Sequence, residues 1–528
     1  MNDRHSLDAV GLNVARATGT IAVASIAGQM LSFAKAATVA AYLGTSWQMD
    51  VFLWSLALVT LFYAAASGPL DAVLVPVYFS LKAKDPRLAG DMVNAALSLL
   101  LVALLGLGCL LAVAAPLAAR LLEGELPPEG AALATRLIWV MLPVVLFGGG
   151  AMACRAVLNA EKSFFIPAMA SSFGALAVIL AVLAVGRAHA TYAQAVGLSL
   201  GALLEWTVLM ALLWKKGLAN RWMPNLHADG VRHLLQLVWP LNVTRAFILC
   251  VPIVDRTMAA RFSPGSISSL AYAQTLMGVS VALLLDALHK AILPFLSQQI
   301  AEDGIGTFRE TFVSTLRVLV GLVFPLTVVL IVLREPVVQL ALQRGAFDAK
   351  ATASTASAFG LYLAGAGPMA ICLVCARGFN ALQDSRTNAL VGIVFLVAAK
   401  LMMNVVLAGL WGYLGLAAAT SGAYLLAALA MLVVMGRRLK GIEWRRLLHT
   451  SGKVVAISVV GGLLAVFGAN VGRGSPLLQL VFGGTLGVVG CGVTAYLLRL
   501  EEIRGLTGLA ARLAWARGYT VFRRIVHR

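Results

Sequence analysis

Long apolar runs constrain this chain more than any other feature of its sequence. Residues 96–118 read ALSLLLVALLGLGCLLAVAAPLA, and residues 173–185 read FGALAVILAVLAV. Neither run alternates polar and apolar residues as barrel strands do, and a helix of about 20 such residues crosses a hydrocarbon core of about 30 Å. The chain is 60% hydrophobic and 12% charged, whereas soluble domains carry about 25% charged residues. The sequence therefore predicts an all-α integral membrane protein.

Apolar stretches separated by polar loops predict fourteen transmembrane helices. Their ranges are 19–43, 51–80, 92–117, 131–158, 164–186, 191–214, 233–260, 266–296, 312–333, 352–380, 387–409, 412–436, 452–470 and 476–498. One set of alternate loops is rich in Lys and Arg, whereas the opposite set is sparse in them and includes the acidic segment 123–130. Because cationic loops resist translocation, we expect both termini to lie in the cytoplasm.

The formal charge of +18 does not indicate nucleic-acid binding, because most of the cations lie in short loops between apolar segments. The stretch after Arg499 interleaves Arg with Leu, Ala, Trp and Phe. This pattern is typical of an amphipathic helix on anionic lipid, and a disordered basic tail is the alternative. Cys372 and Cys375 form a C-x-x-C pair with no second ligand pair, so we expect them to pack helices and not to bind a metal.

Weak internal matches indicate that the chain contains a repeat. Cys154 and Asn159 recur as Cys375 and Asn380 at a constant offset. Six helices in each copy would make both copies enter the membrane from the same side, which predicts a parallel pseudo-repeat of spans 1–6 and 7–12. Transport sites commonly lie at the interface between such repeats.

Polar side chains in the seventh span are the first candidates for a function. A charged group in a span costs at least about 2.5–3.5 kcal/mol, so it needs a partner, a wet cavity or a function. Arg245 and Arg256 lie about three turns apart on one face, about 16 Å along the helix. Asn242 extends this polar face, and Asp255 points elsewhere and is expected to pair with a neighbour or to couple transport. Interfacial snorkelling is the structural alternative for Arg256 and also for Arg245, which lies nearer the middle of the span.

The eighth span carries a second cluster of ionisable groups. Asp286, His289 and Lys290 occupy i, i+3 and i+4 positions, where side chains on one helix face meet. They form either an internal ion pair or a proton-responsive site, because His titrates near neutral pH. Lys35 in the first span and Asp50 at the start of the second extend the candidate set, and capping or interface anchoring is the alternative role of Asp50 because it lies near a helix end. Cations outweigh carboxylates, so we expect an anionic substrate, and Arg suits phosphate through its planar fork.

Motifs of enzymes and of nucleotide-driven pumps are missing from the sequence. It contains no G-x-x-x-x-G-K-[ST] loop, no catalytic triad pattern and no metal-ligand cluster. We therefore predict a transporter without a cofactor, which is driven by ion gradients, by the membrane potential or by downhill flux.

Four segments resemble the MurJ (MviN) lipid II flippase family of the MOP exporter superfamily. They are AYAQTLMGVSVALLLDALHKAILPFLS at 271–297, LQRGAF at 342–347, GFNALQDSRT at 378–387 and VLNAEKSFFIPA at 157–168. The resemblance implies two six-helix lobes around a central cavity, with two extra helices that form a groove for a polyprenyl tail. It also implies a multi-pass protein of the bacterial inner membrane.

This resemblance divides the chain into five segments. They are a cytoplasmic N-terminal segment (1–18), an N-lobe with helices 1–6 (19–217), a C-lobe with helices 7–12 (218–440), the groove helices 13–14 (441–500) and a basic amphipathic cytoplasmic tail (501–528).

Several charges typical of the family are replaced in this chain. Gln29 stands at the first cation of its first helix, and only the second is kept, as Lys35. The Arg of its second helix corresponds to Tyr63, the nearby Glu to Ser67, and the Asp-Arg of its eighth helix to Gln274 and Thr275, whereas Asp50 is retained. The expected substrate-binding residues are Lys35, Arg245, Arg256, Lys290, Gln29, Gln274 and Asn242, and the expected coupling or ion-pair residues are Asp50, Asp255, Asp286 and His289.

These departures favour a flippase for another polyprenyl-diphosphate-linked saccharide, such as an exopolysaccharide or O-antigen unit, with lipid II as the alternative. The expected partners are this substrate, membrane lipids, and proteins of polysaccharide or peptidoglycan synthesis. Two further classes stay open. A drug or cation antiporter of the same superfamily would need an acidic cavity, and a non-transporting scaffold of a polysaccharide synthase would tolerate the loss of the cavity charges.

Overall fold

The structure, a computed structural model, describes residues 27–68, 70–122, 127–161, 163–226, 230–439, 441 and 444–499. Within these ranges the side chains of residues 71–72, 240–241, 243–244, 283–304, 385 and 444–447 are not described. The predicted N-terminal segment 1–18 and the predicted tail 501–528 lie outside the described residues.

The described part of the chain is helical and contains no β-strand. Its helices are α1 (27–43), α2 (Trp47–Ser67), α3 (Leu70–Lys82), α4 (Pro86–Ala119), α5 (Glu129–Ala160), α6 (Phe165–Ala170), α7 (Phe173–Val185), α8 (Ala190–Lys215), α9 (Val231–Ala259), α10 (Ser266–Val332), α11 (Arg334–Leu342), α12 (Ala349–Ala364), α13 (Ala366–Ala381), α14 (Ser385–Val391), a π-helix at Gly392–Ala399, α15 (Lys400–Trp411), α16 (Leu414–Arg438), α17 (Trp444–Val471) and α18 (Pro476–Leu497).

Eleven helical segments among these residues are long and apolar enough to cross a membrane, which confirms the multi-pass, all-α class. They coincide with the predicted spans 2–6 and 9–14. Predicted span 1 begins outside the described residues. Predicted spans 7 and 8 fall on α9 and the first part of α10, and α9 is less apolar because it contains Arg245, Asp255 and Arg256. The number of fourteen spans stays a prediction.

Helix ends differ from the predicted span ends in two places. Predicted span 2 is divided into α2, which ends at Ser67, and α3, which begins at Leu70. The sequence has Pro69 between them, and proline lacks the N–H donor that an intrahelical hydrogen bond needs. The loop expected between spans 8 and 9 is instead part of the continuous helix α10. Hydropathy marks where apolar residues stop, and a polar stretch without proline can continue a helix.

The chain forms two compact units. Unit 1 contains the described residues up to Thr275 together with Leu342–Ala351, and unit 2 contains Leu276–Ala341 and the described residues from Thr352 onwards. Helix α9 belongs to unit 1, where the indole of Trp54 donates a hydrogen bond of 2.9 Å to Thr257. The predicted division into lobes at residues 217 and 218 stays a prediction.

Glycines in unit 1 let α7 and α8 approach closely. A Cβ on Gly201 would lie 2.5 Å from the Cα of Gly174, and a Cβ on Gly197 would lie 2.7 Å from the Cα of Val178. Gly197 and Gly201 form a G-x-x-x-G pair, a pattern that lets membrane helices pack backbone to backbone. The α7–α8 hairpin is thus held by van der Waals contact between backbones.

The family-like segment at 342–347 packs inside unit 1. The N–H of Ala346 donates a hydrogen bond of 2.8 Å to the carbonyl of Ala41, and the buried Phe347 packs edge to face on Tyr272 with ring centroids 5.5 Å apart. Gly345 adopts φ of +61°, a conformation that L side chains disfavour. This segment therefore closes onto the end of α1.

Unit 2 contains a glycine-packed hairpin of α17 and α18. A Cβ on Gly483 would lie 2.7 Å from Leu333 Cδ2, and a Cβ on Gly487 would lie 3.0 Å from the Cβ of Ala465. The hairpin buries Ala465 and Cys491 together with Leu333 at the end of α10. Its opposite faces carry exposed Leu, Val and Phe side chains, as lipid-facing helices do.

Candidate functional site

The break between α2 and α3 lies about midway along the stretch from Trp47 to Lys82. Helix α2 ends at Ser67, and the N–H of Gly68 still donates a hydrogen bond of 3.0 Å to the carbonyl of Ala64. A helix end leaves backbone carbonyls or N–H groups without intrahelical partners. Membrane transporters commonly place their substrate sites at such discontinuous helices.

Arg245 of α9 lies against this break. A Cβ on Gly68 would come within 2.6 Å of the Cζ of Arg245, so the guanidinium occupies the space that the missing side chain leaves free. The side chain of Arg245 is exposed, which leaves its donors accessible. The structure therefore holds a permanent cation at the break in span 2.

One polar atom on the same helix face as this cation is unsatisfied. Asn242 precedes Arg245 by about one helical turn, which places the two side chains on one face. Asn242 Oδ1 and Ser67 Oγ are both buried without a hydrogen-bond partner in the part of the chain that the structure describes. Buried polar atoms normally have partners, so Asn242 Oδ1 points to a ligand or to water near Arg245, whereas Ser67 Oγ lies on the side of α2 that packs against Gly149 of α5.

Unit 1 also contains an ion pair whose two charges neutralise each other. Arg155 Nη1 of α5 lies 3.1 Å from Glu205 Oε1 of α8, and the two side chains are 30% and 12% exposed. The neighbouring Trp206 packs against Phe147 with ring centroids 5.3 Å apart. The sequence shows both charges within predicted spans 4 and 6 but not their pairing, because neither helical spacing nor composition reports contacts between two spans.

Asp50 is buried and bound by backbone donors. Its Oδ2 accepts a hydrogen bond of 2.6 Å from the N–H of Gly265, and its Oδ1 accepts one of 2.7 Å from the N–H of Ser268. Gly265 directly precedes α10 and Ser268 lies in its first turn, so both donors are at the helix N-terminus, where the helix dipole favours a negative charge. Asp50 therefore caps α10 from α2, in accord with the capping role that fits a carboxylate at a helix end.

Arg256 connects α9 to α2. Its Nη1 donates a hydrogen bond to the backbone carbonyl of Leu53, next to the bond between Trp54 and Thr257. Asp255, one residue before it, is partly buried. These contacts give Arg256 a role in holding the two helices together, and its predicted role in binding substrate is not tested by them.

The remaining predicted site residues are distributed over α1 and α10. Lys35 and Gln29 are partly buried on α1, and Gln274 is exposed on α10. All three belong to unit 1, as does Arg245. That Lys35 and Arg245 line one central cavity from opposite lobes stays a prediction. Asp286, His289 and Lys290 lie on α10, but their side chains fall outside the described residues.

A polytopic helical fold with a cation at the break of a discontinuous helix is an arrangement typical of membrane transporters. A family comparison assigns residues 39–476 to the lipid II flippase MurJ family. The chain belongs to this family, which confirms the resemblance seen in its motifs.

Curated relatives agree with this assignment over most of their length. The chain is 23% identical over 495 residues to a probable lipid II flippase MurJ of Synechocystis sp., which covers 89% of each protein. It is 26% identical over 443 residues to a lipid II flippase MurJ of Burkholderia cenocepacia, which covers 82% of this chain and 85% of that protein.

Solved structures show the same fold. A lipid II flippase MurJ in an inward closed conformation matches with a TM-score of 0.76 at 19% identity, over 90% of this chain and 99% of that one. An inward-facing MATE family transporter of the MOP superfamily matches with a TM-score of 0.64 at 10% identity, over 79% and 98% of the two chains. The fold of this chain is therefore that of MurJ and MATE transporters.

Proposed function

We propose that this protein carries a polyprenyl-diphosphate-linked saccharide across the bacterial inner membrane, and that its substrate is lipid II. The observation that supports this proposal most directly is the exposed guanidinium of Arg245 at the α2–α3 break. Relatives of this chain are named lipid II flippases, which supports lipid II over the exopolysaccharide or O-antigen unit that the missing charges favoured.

The charges of the site suit a diphosphate. The planar fork of Arg245 offers donors to phosphate oxygens, and charge-assisted bidentate hydrogen bonds are the strong ones. Glu205 does not compete for this cation because it is paired with Arg155. The unsatisfied Asn242 Oδ1 accepts hydrogen bonds, so it serves saccharide hydroxyls and not phosphate. In this proposal Arg245 binds the diphosphate of the substrate, and Asn242 binds its saccharide.

The other predicted site residues remain part of the proposal. Lys35, Gln29, Gln274, Lys290 and Arg256 would surround the headgroup in at least one state of the transport cycle. Asp255, Asp286 and His289 would serve ion pairing or proton coupling. Asp50 is left out of the coupling set of this proposal, because both of its oxygens accept hydrogen bonds from backbone donors at the N-terminus of α10.

Membrane potential would assist export of such a substrate. Moving one negative charge out of an inside-negative cell is favourable by about 2.3 kcal/mol per 100 mV. If the helices rock about a fixed site, the protein's own cations move little, and the substrate is the main charge carrier.

The test is flipping of fluorescent lipid II in proteoliposomes with an imposed potential of either sign. We expect Arg245→Ala to slow flipping about 10- to 100-fold, as loss of a charge-assisted hydrogen bond implies, and Arg245→Lys to restore part of the rate. Arg232→Ala is the matched control, because Arg232 is an exposed cation at the start of the same helix. Wild-type rates in Arg245→Ala, or rates that ignore the potential, would refute this mechanism.

A second substrate has one specific observation in its favour. Tyr63 and Ser67 stand where the resemblance places charged residues, and Ser67 Oγ is unsatisfied. Flipping of an undecaprenyl-diphosphate saccharide without a peptide, measured beside lipid II, separates the two. Preference for the peptide-free substrate would replace lipid II, and a folded protein that flips neither would identify a non-transporting scaffold.

A further inference from the structure

Unit 1 contains a cavity of about 580 Å³ that is not part of the site at Arg245. Its walls are the last turn of α3, the first turns of α4, the residue after α5, and the segment that follows α8. All of these are helix ends, and the loops that carry them belong to the cation-rich set that is predicted to face the cytoplasm. The cavity therefore opens where lipid headgroups would lie.

Cations dominate the walls of this cavity. Its basic residues are Lys82, Arg87, Lys216 and Arg221, and its acidic residues are Asp91 and Glu161.

Glu161 is already neutralised by its neighbours. Its Oε1 lies 2.5 Å from the Nζ of Lys82 and accepts a hydrogen bond of 2.5 Å from the hydroxyl of Tyr78. Burial raises the pKa of Glu161, but the hydrogen bonds from Lys82 and Tyr78 outweigh it and hold the pKa below its ordinary value. Asp91 is then the one acidic residue of the cavity lining that remains to balance the charges of Arg87, Lys216 and Arg221.

The three remaining cations are exposed. Among the described residues no ion pair within 4 Å is found for any of them, and an exposed cation without a partner remains available to a ligand. Lys216 also lies close enough to Glu161 to act on it electrostatically, which places it on the same wall as the Lys82–Glu161 pair.

Hydrogen bonds of the buried Asn94 hold the backbone at Arg221. The side chain of Asn94 is 4% exposed, and its Oδ1 accepts a hydrogen bond of 3.2 Å from the N–H of Arg221. Its Nδ2 donates one of 3.2 Å to Asn220 Oδ1. Ala219 adopts φ of +54°, a strained conformation for a residue with a Cβ. The segment after α8 is therefore held in one shape against α4.

Exposed tryptophans place this cavity at the membrane interface. Trp214 and Trp222 are 69% and 65% exposed, and they flank the cavity-lining segment after α8 on both sides. Tryptophan is enriched at the headgroup level of bilayers because its ring is apolar and its N–H is polar. A free cytosolic anion would not require such anchors, so the surroundings favour a lipid.

We propose that this cavity binds the headgroup of an anionic phospholipid, with Arg87, Lys216 and Arg221 around its phosphate. The lipid would seat the ends of α3, α4 and α8 in the leaflet. This proposal does not depend on the identity of the transported substrate.

The experiment is native mass spectrometry of the full-length protein in detergent with phosphatidylglycerol and with phosphatidylcholine. The test variant is the triple substitution Arg87→Gln, Lys216→Gln and Arg221→Gln. The control variant is Lys84→Gln, Lys215→Gln and Arg232→Gln, which removes the same charge from exposed cations outside the cavity.

We expect wild type to bind phosphatidylglycerol about tenfold more tightly than phosphatidylcholine, since each nearby cation favours an anionic headgroup. The test variant should lose this preference and the control variant should keep it. A charge-conserving variant, Arg87→Lys, Lys216→Arg and Arg221→Lys, should keep most of it. If the triple glutamine variant fails to fold, Arg221→Gln alone is the substitute, with a smaller loss expected.

Three results would overturn the proposal. Equal losses in the test and control variants would indicate general surface charge. Displacement of phosphatidylglycerol by glycerol phosphate or inorganic phosphate at equal concentration would identify a free-phosphate site. Displacement by undecaprenyl diphosphate at far lower concentration would assign the cavity to the transported substrate. None of these readouts requires transport, so they are independent of the flipping assay.

Discussion

Asp50→Asn tests whether the carboxylate in α2 is a structural cap for α10. Asn keeps one acceptor oxygen and places an NH₂ group opposite the second backbone donor. The substitution therefore leaves the N–H of Gly265 or of Ser268 unsatisfied in a buried place. Both hydrogen bonds are short, at 2.6 and 2.7 Å, so little space is left for water to replace the lost acceptor.

The expected loss follows from two contributions. A buried donor without a partner costs about 1–3 kcal/mol, and loss of a negative charge at a helix N-terminus costs about 0.3–1 kcal/mol, or up to about 2 in buried geometry. Together they predict that Asp50→Asn lowers the free energy of unfolding by about 2–4 kcal/mol.

Denaturant unfolding of the purified protein in detergent measures this change. Asp91→Asn is the control, because Asp91 is an exposed carboxylate and should change the free energy of unfolding by less than about 0.5 kcal/mol. A change of this small size in Asp50→Asn would refute the capping role. If flipping were then lost while stability was kept, Asp50 would return to the coupling set.

Two further predictions concern helix packing and an ion pair. Gly201→Ala should destabilise the protein by about 1–3 kcal/mol because its Cβ would overlap the backbone of Gly174. Gly174→Ala, whose Cβ would meet no atom within 4 Å, should be neutral in the same unfolding assay, and equal effects would contradict the close approach. Glu161→Gln should cost less than about 1 kcal/mol, since its partner Lys82 is 41% exposed. The folded-state pKa of Glu161 is lowered, so its contribution is present above the ordinary value of 4.5 and is lost as the pH falls through the lowered pKa. The stability difference between wild type and Glu161→Gln should therefore vanish at acidic pH, and a difference that grew on acidification would be inconsistent with this pair.

The membrane class and the family could be predicted from the sequence because their signals are local. The hydropathy of a run such as residues 96–118 predicts that it inserts into lipid, and this prediction does not depend on which other helices the run contacts. The segments at 342–347 and 378–387 carry motifs whose order along the chain is independent of the packing, and the family match over residues 39–476 confirms them. The positions of α4, α5, α8 and α16 follow from the same kind of signal.

Helix continuity was only partly predictable. The sequence contains Gly68 and Pro69, which are typical of a helix break. The residues on both sides are apolar, so hydropathy predicted one continuous span. The polar stretch within α10 was expected to be a loop, although polarity alone does not end a helix.

The pairing of charges was decided by tertiary structure alone. Asp50 meets backbone donors of Gly265 and Ser268, which are 215 and 218 residues away, and Arg155 meets Glu205 on another helix. Sequence alone determined that these groups needed partners, because a bare charge in a membrane span is costly. It did not determine which partner each group finds, since that depends on which helix faces touch, and side chains on every face of a lipid-embedded helix are similarly apolar.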